Sequence, residues 1–184
     1  AIYARALDAM GRAEGRTMAE QILVRDQTSG DALMVRYRHA MARNDYASAI
    51  NNAQIVIHEY PDRDDGFIAL AKAYEAKGDQ AGMARTFADA MRTRSQSYPV
   101  FKMATDFMLQ QDQKGRALAA ARRLVINAPA LRSGWRLYAA TCQAVGGGTC
   151  SSEVAAGTQQ AGRLFQIDEP PGTPPPRGLF GRFR

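Results

Sequence analysis

Large apolar residues recur every 34 positions: Leu33, Phe67, Phe101 and Trp135 each open a helix-like apolar pattern. Ala49, Met83 and Ala117 repeat at the same spacing, and Pro61 and Pro129 stand two periods apart with Ser95 in the slot between them. A fixed period of this kind constrains the architecture strongly, because each repeat is one supersecondary unit that cannot bury its apolar face alone. The unit expected here is a helix of about 12 to 14 residues, a tight turn and a second, antiparallel helix. Small residues at recurring positions let the two helices approach closely. β-Branched residues are sparse, and the alternating runs of half-buried strands are hard to find. The expected fold is therefore all-α, an α-solenoid of about four to five stacked antiparallel hairpins.

The period divides the chain into units near 1–29, 30–63, 64–97 and 98–131, with a degenerate closing unit over 132–166. In the first, Tyr3, Leu7 and Met10 fit one helix face, and Met18, Ile22 and Leu23 fit another after Gly15. Ala19 precedes Ala49 by 30 residues instead of 34, which predicts a tighter first connection. Beyond Ile167 the composition shifts to Pro170, Pro171, Pro174, Pro175 and Pro176, where helix cannot continue. Residues 167–184 are expected to form an extended tail, with Phe180 and Phe183 as anchors for a partner or a neighbouring copy.

The unit from Phe67 is the best formed: Phe67, Leu70, Ala71 and Tyr74, the Gly78-Asp79 turn, then Met83, Phe87 and Ala90. It resembles the tetratricopeptide repeat, with Met83 in place of the usual small residue and Ser95 in place of the closing proline. The preceding unit matches through Leu33, the Asn44-Asp45-Tyr46 turn, Ala49, Ile50 and Pro61, but has Arg36 and Tyr37 where a leucine and a small residue belong. The resemblance implies a concave surface lined by the first helix of each pair, and partner binding instead of chemistry. The family's clamp for a terminal carboxylate uses a Lys and Asn pair, and Met34 with Arg38 occupies those positions here, so that activity is not carried over.

The residues themselves offer little catalytic material. His39 and His58 form no paired metal motif around a glutamate, and Gly146 to Gly148 follow a helix and lack the Lys-Ser/Thr ending of a phosphate loop. Asp62, Asp64 and Asp65 lack the glycine and distal glutamate of a calcium loop. No cofactor or metal is expected, and the chain is not expected to be an enzyme. The formal charge of +6 comes from basic residues scattered along the chain, which suits a solvated basic surface more than a nucleic-acid tract. No apolar run approaches the roughly 18 residues of a membrane span.

Cys142 and Cys150 flank the triple-glycine turn, close enough in sequence for a disulfide that would staple the last hairpin. Such a bond implies an oxidising compartment such as a bacterial periplasm or envelope; two small buried thiols in a cytoplasmic protein are the alternative. The chain opens at Ala1 with no initiator Met and no leader pattern, from which further sequence upstream is expected.

The 34-residue register places Met34, Arg38 and Met41, then Ile68 and Lys72, then Lys102 and Asp106, then Arg136 on the groove side of successive first helices. Arg38 with Lys72, and Lys102 with Arg136, are each one period apart, so a row of cations beside Met and Ile is expected. That surface suits an acidic, partly apolar peptide or helix of a partner protein. The functional expectation is an assembly scaffold, of the kind seen in envelope and secretion lipoproteins of this repeat family. A docking module of a larger enzyme, with its catalytic domain upstream, is the alternative.

Overall fold

The computed structural model describes residues 1–148 and 150–163. The proposed anchors Phe180 and Phe183, and the tail that carries them, lie outside the described residues. The chain divides into two compact units, Ala1–Gln113 and Lys114–Arg184.

The first unit contains α1 (Ile2–Ala9), α2 (Ala13–Arg25), α3 (Gly30–Ala42), α4 (Tyr46–Glu59), α5 (Asp64–Lys77), α6 (Gln80–Thr93) and α7 (Tyr98–Gln110). The second contains α8 (Lys114–Asn127), α9 (Arg132–Ala144) and α10 (Cys150–Arg163). All regular structure among the described residues is helical, and within each unit consecutive helices pack as antiparallel neighbours. Residues 26–29, 60–63, 94–97 and 128–131 connect one hairpin to the next, so the connections are equal in length. The expected shortening of the first connection is therefore corrected. Gly15, which precedes Ala49 by 34 residues, is the equivalent position, and Ala19 aligns instead with Ala53.

The turn inside each hairpin is built from one recurring device. Gly11, Asn44, Gly78, Asp112 and Gly146 all adopt left-handed backbone angles, with φ of 74°, 58°, 77°, 53° and 104°. Only residues that tolerate this region occupy these positions. The following amide returns to the carbonyl five residues earlier: Arg12 to Leu7, Asp45 to Ala40, Asp79 to Tyr74, Gln113 to Met108 and Gly147 to Cys142, at 2.7 to 3.0 Å. These bonds satisfy a carbonyl that the ending helix leaves without a partner. Asp45 and Asp79 then cap the next helix, accepting from the amides of Ser48 at 3.1 Å and Gly82 at 2.7 Å.

The periodic apolar residues fill the interior, as their register requires. Leu33, Phe67, Phe101 and Trp135 are 1%, 5%, 0% and 8% exposed. Small residues set the helix separations around them. A Cβ on Gly15 would lie 2.4 Å from the Asp8 amide nitrogen of α1, and one on Gly82 would lie 2.5 Å from the Tyr74 ring. Met83 thus need not be small, because the close approach falls on its neighbour Gly82. In the second unit, Trp135 donates through Nε1 to the Pro129 carbonyl at 2.8 Å and covers Gly157.

Candidate partner-binding faces

Charged residues of α1, α3, α5 and the connection that leads into α5 are tied together. Arg5 donates to Asp31 and to Asp65, both at 2.9 Å. Arg63 donates to the same two carboxylates, at 3.0 Å to Asp31 and at 2.7 Å to Asp65. Asp31 and Asp65 are one period apart, each in the first turn of its helix, where a carboxylate also complements the helix dipole. Burial pushes both carboxyls up, but the guanidiniums of Arg5 and Arg63 outweigh it and hold them below the ordinary range. Nearby, Arg38 donates to Asp8 at 2.5 Å and His39 contacts the other Asp8 oxygen at 2.8 Å.

This network alters the expected groove. Met34 is 6% exposed and belongs to the core, so its placement on a binding surface is corrected; its side chain turns inward among the other buried residues of α3. Arg38 is bound to Asp8 and is not an open cation. Met41 is half-buried against the core, and Ile68 is half-buried on α5. Lys72 is exposed and forms no salt bridge among the described residues. Lys102 and Asp106, expected as separate contacts, pair with each other at 2.6 Å along α7. Arg136 is half-buried on α9 of the second unit, so Lys102 and Arg136 belong to different compact units.

Two clefts that periodicity alone does not reveal open between consecutive second helices. Neither α2 and α4 nor α4 and α6 pack against each other, and each gap is floored by the helix between them. The first cleft, about 900 Å³, has walls from α2 and α4 with Leu33 and Arg36 of α3 beneath. The second, about 440 Å³, has walls from α4 and α6 with Phe67 and Leu70 of α5 beneath. Their linings correspond at the 34-residue period: Leu33 with Phe67, Arg36 with Leu70, Asn52 with Thr86 and Ile55 with Asp89. Arg36 donates to Glu20 at 3.2 Å through Nε and at 2.5 Å through Nη2, an ion pair that holds the Glu20 carboxyl below its usual range.

In the second unit, Glu153 of α10 accepts from Arg122 of α8 and from the Tyr138 hydroxyl of α9, both at 2.9 Å. The Cys142 and Cys150 sulfurs stand at disulfide distance, 1.98 Å, across the glycine turn. Among the described residues no cluster of His, Cys, Asp or Glu is placed to hold a metal ion, and no helix is long and apolar enough to cross a membrane.

No model of a protein family matches the sequence, and no curated protein does. Solved structures do resemble the fold. The thermophilic TPR protein TTC0263 of Thermus thermophilus is 18% identical, with a TM-score of 0.54 over 90% of each chain. MamA is 10% identical with a TM-score of 0.56, over 86% of this chain and 92% of that one. YrrB, described as a TPR protein with an unusual peptide-binding site, is 11% identical with a TM-score of 0.53, over 86% of this chain and 82% of that one. Likeness over 82% or more of each chain, together with the recurring hairpins, shows that this chain has the fold of tetratricopeptide-repeat proteins.

Proposed function

We propose that the chain is a non-catalytic scaffold for protein–protein contact, which takes an acidic, partly apolar peptide or helix of a partner on the α3–α5 side of residues 1–113. The observation that carries this reading is Lys72, an exposed cation without a salt bridge among the described residues, on the same face of α5 as half-buried Ile68 four residues before it. A carboxylate would meet Lys72 while an apolar side chain covers Ile68. The peptide-binding site in the description of YrrB supports the same class of partner. We place the scaffold in an oxidising compartment, the bacterial periplasm or envelope, because Cys142 and Cys150 flank one glycine turn where a disulfide would staple the last hairpin.

Crosslinking and mass spectrometry in the native host, with wild type and Lys72→Glu expressed at equal level, tests the reading. The variant should lose the partner that wild type captures, with its melting temperature unchanged. Equal capture by both would refute this binding face. A chain ending at residue 166 in the same experiment tests whether Phe180 and Phe183 supply a second contact.

A further inference from the structure

The two clefts between second helices share a register but not a chemistry, and the difference is informative. In the second cleft the positions are resolved by packing within the chain. Leu70 is 8% exposed, and the Thr86 hydroxyl donates to the Gly82 carbonyl at 2.9 Å. In the first cleft the same positions hold Arg36 and Asn52. Asn52 is only 4% exposed, yet its side-chain amide makes no hydrogen bond among the described residues and lines the cleft. Its amide atoms keep contact with water in the cleft, since the one side-chain polar atom both buried from water and unbonded among the described residues is Thr105 Oγ1, so the amide stands open to a ligand. Gln21, Gln27 and Asn51 add further amides around it, and Val24, 82% exposed, adds an open apolar surface.

From this we infer that the first cleft is a second peptide site, which receives an extended acidic segment of a partner protein and reads its main chain through Asn52. The inference rests on the reading of the chain as a protein-binding scaffold, but uses a different face. An extended segment presents unpaired N–H and C=O groups, and one carboxamide can donate to and accept from them; a helical ligand has already paired those groups internally. The acidic preference follows from the lining charges. Arg36 is neutralised by Glu20, whereas Arg16 is exposed and forms no salt bridge among the described residues, leaving two guanidiniums against one carboxylate. A small apolar side chain next to the acid would cover Val24 and Ile55.

The test uses the full chain and a fluorescein-labelled octapeptide of alternating Asp and Val, with two comparison probes: the same peptide N-methylated at each Val, and one of alternating Lys and Val. Fluorescence anisotropy gives affinity, and thermal unfolding gives stability. The Asp-Val probe should bind, and N-methylation should weaken it by about tenfold or more. Asn52→Leu should weaken it by about tenfold with the melting temperature essentially unchanged, because the amide that meets the main chain has been removed and its packing kept. Arg16→Glu should weaken binding and flatten its salt dependence, and the Lys-Val probe should not bind. No binding of the Asp-Val probe, unchanged affinity in Asn52→Leu, or equal affinity for the N-methylated probe would each overturn the inference. Loss of probe binding in Lys72→Glu alone would also overturn it, while leaving the first-helix face standing as the binding site.

Discussion

Gly157 and Gly115 show how differently one residue type can act in two helices of the same unit. A Cβ at Gly157 would lie 2.0 Å from the Trp135 ring, whereas one at Gly115 in α8 meets nothing within 4 Å. Trp135 is held by its bond to Pro129 and stands 6.2 Å from the Tyr138 ring, centroid to centroid, so it cannot yield without loss. Gly157→Ala gains up to about 1 kcal/mol of helix propensity but overpacks the site by roughly 1 to 3 kcal/mol. The expected outcome is a lower urea midpoint for Gly157→Ala and an equal or higher one for Gly115→Ala. The same midpoint for both variants would mean that the Trp135 contact carries no packing constraint. Nothing in the sequence separates these two glycines, because the clash at Gly157 depends on a side chain 22 residues away whose direction is set by tertiary packing.

At the scale of the element, each hairpin turns on one left-handed residue, and ion pairs join the first three hairpins to one another. Gly78 has φ of 77° with open space around it, so substitution there is governed by backbone strain alone. Stability should fall in the order Gly, Asn, Ala at position 78, with Gly78→Ala costing about 1 to 2 kcal/mol. Denaturant titration checks it, and an alanine variant as stable as wild type would contradict the turn geometry. The Asn44 and Gly78 turns were legible because turn-forming residues stood between apolar periods. The ion pairs were not, since Arg5 and Asp65 are 60 residues apart and periodicity says nothing about which charges meet. That is why Arg38 read as an open cation when it is bound to Asp8. The Asp31 and Asp65 carboxyls have folded-state pKa values below the ordinary 3.8, so they bind protons less readily folded than unfolded. Their stabilisation is complete above that ordinary value and is lost as pH falls through the depressed values. Wild type should therefore keep its stability advantage over an Asp31→Asn, Asp65→Asn double variant from neutral pH down to about pH 4 and lose it progressively as the pH falls further. Parallel pH profiles of the two proteins in urea titrations would remove the network from the account of stability.

For the molecule as a whole, the 34-residue period was legible because every unit repeats the same burial problem, and the solution is forced wherever large apolar residues align. The division after Gln113 was not legible, because it falls inside a repeat of unbroken period. This division carries a prediction about the cysteine pair. Cys142 and Cys150 are separated by 8 residues, and both lie in the second unit. Closing so short a loop restricts the unfolded chain by about 2.5 kcal/mol in the loop-entropy description, a sizeable share of the stability of a small unit. Intact mass after blocking free thiols should show no alkylation in native material and two additions after reduction. Hydrogen exchange followed by mass spectrometry should then show faster exchange in α9 and α10 on reduction, with α3 to α6 unchanged, since the stapled loop belongs to one compact unit. Faster exchange throughout both units would mean that the chain opens as one cooperative body. Native material with two alkylatable thiols would remove the disulfide, and with it the chemical support for an oxidising compartment.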